Sequence, residues 1–72
     1  MQHDPVEQSP AYLAVVHHAE ELAWQELDRL GIPRGSFGSC HAFWAAKQQV
    51  LHDRFGIEWK SPAEMNPLII FD

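Results

Sequence analysis

The chain has 72 residues, a formal net charge of −5 and one cysteine. A chain this short forms a single domain that buries only roughly 60% of the surface its unfolded form exposes, so its stability is expected to be marginal without a staple. A lone cysteine, Cys40, excludes an intramolecular disulfide framework and fits a reducing compartment, and the acidic balance disfavours general nucleic-acid or anionic-membrane binding.

Residues 1–8 are polar and acidic, with no hydrophobic core region of the kind a secretory leader carries. They are read as a flexible N-terminus. The longest apolar run, residues 11–16, is far too short to span a bilayer. The expectation is a soluble cytoplasmic protein. Charge is unevenly spread: residues 1–28 hold six acids and neither Lys nor Arg, while all five bases (Arg29, Arg34, Lys47, Arg54, Lys60) lie between 29 and 60. Opposite charges on adjacent segments can attract each other within the fold.

Ser9-Pro10 reads as an N-cap followed by proline at the first helical position, and the helical period then runs to about residue 30, where Gly31-Ile32-Pro33 stops it. On a helical projection Tyr12, Leu13, Val16, Ala23, Trp24, Leu27 and Leu30 share one side, widened by Val15, Ala19 and Leu22. Residues 31–38 form a loop with three glycines and a proline. Arg34, Ser36 and Ser39 in and after this loop are candidates to cradle an anion at the start of the next helix, although flexible glycines joining two helices explain the loop without a ligand.

A second helix is expected over 39–55, closed by Gly56-Ile57 in the manner of a left-handed glycine cap. Its apolar side carries Cys40, Phe43, Trp44, Val50, Leu51 and Phe55, and Lys47 and Arg54 interrupt that side as Glu20 interrupts the first helix. Folding the two segments into an antiparallel hairpin brings Glu20 level with residues 47–49, where a Glu20–Lys47 pair would satisfy both charges; long stems covering apolar surface with their heads in water explain these residues equally well. Trp24 and Trp44 are expected in the interhelical core with Leu27, Phe43 and Leu51. Both apolar arcs are broader than one helical neighbour covers, which argues for arm docking or a partner subunit.

The C-terminal arm, 57–72, opens with Ile57-Glu58-Trp59-Lys60, an apolar/polar alternation typical of a half-buried extended segment. Ser61 and Glu64 then have capping-box spacing, predicting a helical turn over 62–65, and Asn66-Pro67 leaves helix. Leu68, Ile69, Ile70 and Phe71 are β-prone and give the arm an optional short strand, either pairing with 57–60 or lying across the helices. Four large apolar side chains in a row near an end dock on their own domain or on another chain. Trp59, Met65, Leu68, Ile69, Ile70 and Phe71 are therefore the expected partner-binding residues.

The remaining chemistry-bearing groups form no compact motif. His17, Glu20 or Glu21, and His52 come level in the hairpin, but His52 and His18 project to polar sides, and no HExxH or CxxC spacing is present. Cys40 lies at a helix amino end that favours thiolate, yet it projects inward, and the adjacent His41 points about 100° away on a helix. Neither catalytic residues, a metal nor a cofactor is assigned. Leu30-Gly31-Ile32-Pro33-Arg34 resembles the turn of helix-turn-helix DNA-binding proteins, a likeness that implies base recognition by the following helix. It covers those five residues only: the loop exceeds the usual turn of about 3–4 residues, and Cys40, His41, Phe43 and Trp44 stand where base-reading Arg, Asn or Gln would. The sequence thus predicts a mainly all-α single domain that works by protein contact, as a self-associating adaptor or regulator. A small DNA-binding regulator and a metal- or thiol-dependent activity at Cys40 and the histidines are the alternatives.

Overall fold

The computed structural model describes residues 2–36 and 38–68. A 3-10 helix, Pro5–Gln8, is followed by the long helices α1, Pro10–Arg29, and α2, Ser39–Phe55, and by the short helix α3, Pro62–Met65. Local chemistry sets most of these ends. The Ser9 side chain accepts the Tyr12 N–H at 3.2 Å, and Pro10 occupies the first turn, where its missing N–H costs nothing. Past the other end of α1, Gly31 takes φ +75° and the Ile32 N–H returns to the Leu27 carbonyl at 2.9 Å. Gly56, at φ +64°, ends α2 in the same way, with the Ile57 N–H on the Leu51 carbonyl at 2.9 Å. Ser61 caps α3, its hydroxyl accepting the Glu64 N–H at 3.3 Å.

The long helices run in opposite directions, with Trp24 opposite Phe43 and Glu20 opposite Lys47. Ala19 and Ala23, both fully buried, keep α1 close to its neighbours, and the main core cluster joins Tyr12 and Ala19 of α1 to Leu51 of α2 and Trp59 of the arm. Packing differs from the periodic projection in two places. Leu13 and Leu30, expected on the buried side, are 57% and 56% exposed. Of the interhelical aromatics, Trp24 and Trp44 are only half-buried, whereas Trp59 is 3% exposed. The arm, not a second tryptophan from the hairpin, fills the centre.

Residues 2–8, expected to be a flexible N-terminus, are instead fastened to the arm. Asp4 caps its own 3-10 helix at the Val6 N–H and also accepts the Lys60 N–H at 2.8 Å. Glu7 accepts the Trp59 indole N–H at 2.9 Å. Asn66, buried, accepts the Gln2 N–H at 2.8 Å and donates to the Gln2 and Pro62 carbonyls at 2.7 and 2.9 Å. Polar groups removed from water need such partners, and here the two ends of the chain supply them to each other. Residues 57–60 alternate between inward and outward positions as their sequence predicts, but they form no strand; the rest of the expected strand, Ile69 to Phe71, lies outside the described residues. None of the described helices is long and apolar enough to cross a membrane.

Candidate functional site: a groove between the long helices

The two faces of the hairpin are built from different side chains. On the face beneath the arm, Lys47 sits 8% exposed, with its ammonium 3.1 Å from Glu20, 4.5 Å from the centre of the Trp59 ring and 5.3 Å from that of Tyr12. The ring faces are electron-rich, so they and the carboxylate together replace the water that a buried ammonium loses. The pair expected from register therefore forms, but as part of an aromatic cage. Burial pushes the Tyr12 hydroxyl above its ordinary pKa, with the bonded Lys47 charge pulling the other way. Gln48 ties the cage shut by donating to the Trp59 carbonyl and to Glu64, each at 2.9 Å. Among the described residues no buried side-chain polar atom lacks a partner.

The opposite face is open. Between α1 and α2 lies a groove of about 790 Å³, lined by Leu22, Leu27, Leu30, Ala42, Ala45, Ala46 and Val50 together with Gln25 and Gln49. That volume falls in the range of ligand-sized pockets, roughly 300–1,000 Å³. It exists because α2 presents alanine at 42, 45 and 46, where a larger side chain would fill the trough against Leu22 and Leu27. Charged side chains stand at its two ends: Glu26 and Arg29 on α1, Asp53 and Arg54 on α2. Arg29 forms a two-pronged bond to Glu26, which holds the Glu26 carboxyl below its ordinary range. Asp53 accepts from Gln49 and contacts the His52 ring nitrogen at 3.0 Å. Arg54 is exposed and makes no ion pair among the described residues.

The residues singled out from sequence are dispersed. Trp59, expected to meet a partner, is committed to the core and its cage, so it offers no surface. Met65 is half-buried and Leu68 is 97% exposed, while Ile69, Ile70 and Phe71 lie outside the described residues. In the interhelical loop, the Arg34 guanidinium lies 4.6 Å over the Trp24 ring and 3.9 Å from Asp28, and Trp24 in turn stacks on Phe43 at 4.2 Å. Ser36 spends its hydroxyl on the Pro33 carbonyl at 2.7 Å, and Ser39 is buried. The loop thus uses these groups to join the helices; it does not converge them on a common point. His17 is exposed, His18 meets the edge of Phe55 at 6.1 Å, and His52 pairs with Asp53 and Glu58. No group of three or more His, Cys, Asp or Glu among the described residues is placed to hold a metal ion.

The groove is the feature that sequence reading missed. Its signal was the spacing of Ala42, Ala45 and Ala46, three and four apart on one side of α2. A search for large apolar residues passes over alanine, although alanine is what leaves room for another surface. Comparison of the chain with protein-family models, with curated proteins and with solved structures finds no match.

Proposed function

We propose that this chain acts by contact between proteins and not by chemistry, as a small self-associating adaptor or regulator. The α1/α2 groove is its main working surface and the arm from Leu68 onward a second one. One observation carries the reading: among the described residues every buried polar side chain has a partner, yet a trough of about 790 Å³, lined by leucine, alanine and valine with polar residues among them, stays open between α1 and α2. Leu30, 56% exposed at the end of that trough, and Leu68, 97% exposed on the arm, would each give up apolar area to a surface that covered them. The test is sedimentation equilibrium at micromolar concentration. A self-associating species is expected, and deletion of residues 68–72 should weaken it. A homogeneous monomer of 8.3 kDa would remove the reading.

A further inference from the structure

Resting on that self-association, we infer that the groove is occupied by the groove of a second copy across a two-fold axis, with Arg54 of each chain meeting Glu26 of the other. The charge distribution selects the occupant. The chain as a whole carries −5, so two copies repel over most of their surface. The groove is the exception, because Glu26 and Asp53 there are balanced by Arg29 and Arg54. A strongly basic partner would be drawn to the acidic remainder of the surface, whereas a face whose acids and bases balance, with one of each at either end, complements itself.

The arrangement of those charges fixes the symmetry. Because α1 and α2 are antiparallel, the Glu26/Arg29 end of the groove and the Asp53/Arg54 end lie at opposite extremes of its length. A two-fold axis through the middle of the groove exchanges its ends, so that residue i meets residue j of the partner while j meets i. Three of the four end charges already have contacts within their own chain: Glu26 with Arg29, and Asp53 with Gln49 and His52. Arg54 makes no ion pair among the described residues, and the acid it would reach at the far end of a partner's groove is Glu26, a carboxylate with acceptor capacity beyond its Arg29 bonds. The alanines at 42, 45 and 46 let the two helical pairs approach closely enough for this contact.

Charge exchange distinguishes this mode from any other association. Arg54→Glu and Glu26→Arg should each weaken the homodimer about tenfold or more, since each places like charges together twice. An equimolar mixture of the two variants should regain wild-type affinity as a heterodimer, because one cross-contact is then the wild-type Arg54–Glu26 pair and the other is the same pair with its signs reversed. Circular dichroism and melting of each variant confirm that the monomer fold is retained. Ala45→Glu, which places a charge in the trough, serves as the second probe. If wild type associates and Ala45→Glu abolishes association but the mixture shows no rescue, the groove reading stands and the two-fold pairing is overturned. If wild type associates and Ala45→Glu has no effect, association uses another surface and the inference falls with the groove. A monomeric wild type would sink the underlying reading as well.

Discussion

The arm-covered face and the groove face share the same two helices and solve opposite problems. Beneath the arm, α2 presents Lys47, Gln48 and Leu51, and each polar group finds a directed partner: Glu20 and the rings for Lys47, the Trp59 carbonyl and Glu64 for Gln48. About half a turn away on the helix, α2 presents Ala42, Ala45 and Ala46, whose methyl groups direct nothing. Hydrogen bonds and ion pairs hold only at particular distances and angles, so a face rich in them is completed by one particular segment. Apolar burial is non-directional and leaves the groove face able to accept a separate surface. The difference teaches that the buried charge and its cage specify how the chain folds onto itself, while the alanines leave room for what comes next.

The sharpest way to break this contrast is to remove the ring that seals the covered face. Trp59→Ala deletes a core side chain and one wall of the Lys47 cage, and should cost about 3–5 kcal/mol, comparable to the whole stability of a domain of this size. The variant should be largely unfolded by far-ultraviolet circular dichroism. Trp24→Ala, at a half-buried ring stacked on Phe43 and Arg34, should cost less. If the two variants melted alike, the arm would not be the centre of the core.

The next largest effect comes from the cage charge itself. Glu20→Gln leaves a buried ammonium without its counter-ion and should destabilise by about 1–3 kcal/mol. Lys47→Met keeps the stem between the two rings and leaves only Glu20, whose side chain is 36% exposed and can rehydrate. Its cost should therefore be smaller, and the double variant should recover part of the Glu20→Gln loss. Urea denaturation of the three variants gives the order; a larger loss for Lys47→Met would show that the ion pair, not ammonium burial, dominates.

On the groove face the same measurement should give almost nothing. Ala45→Glu alters an exposed position, and monomer stability at low concentration should stay within about 0.5 kcal/mol of wild type. A large loss there would mean that the groove is internal to the fold. The smallest effect lies on the exposed end of α2, where the hydrogen bond to Asp53 and the charge of Glu58 raise the His52 pKa above its ordinary 6.5. A raised folded pKa means that the protonated ring stabilises the fold fully below the unfolded value and that this contribution fades as pH climbs through the folded value. Gln49 and His52 lower the Asp53 pKa from 3.8, so its share is present above that value and is lost as pH falls. Proton magnetic resonance should show His52 titrating above 6.5 in wild type, and Asp53→Asn should bring it down.

Much of the architecture was legible because it is local. Ser9-Pro10, Gly31, Gly56 and the Ser61/Glu64 spacing each act within a few residues, and each end lies where those residues put it. Hairpin register left two readings of Glu20 and Lys47, a mutual pair or long stems with their heads in water, and the packed helices decide for the pair. What escaped depends on distance along the chain. That Trp59 belongs to the core, and that Asp4, Glu7 and Gln2 fasten the arm, requires contacts between residues 52 to 64 positions apart. The groove escaped for a different reason: it is defined by side chains that are missing, at alanines whose smallness has no meaning until the helix opposite is in place.

The clasp between Gln2 and Asn66 bears on how fast the molecule folds. The α1/α2 hairpin forms through contacts of moderate sequence separation, such as Glu20 with Lys47, whereas closing Asn66 onto Gln2 encloses nearly the whole chain. Loop-closure entropy grows with enclosed length, so the hairpin can nucleate first and the clasp has little reason to exist in the transition state. An interaction absent from the transition state changes the escape rate of the native state and leaves the folding rate alone. Asn66→Ala, which removes three hydrogen bonds, should therefore accelerate unfolding in stopped-flow measurements while refolding keeps its wild-type speed, a φ-value near zero. The Gln2–Asn66 clasp then acts as a latch on the native state's lifetime and takes no part in finding it.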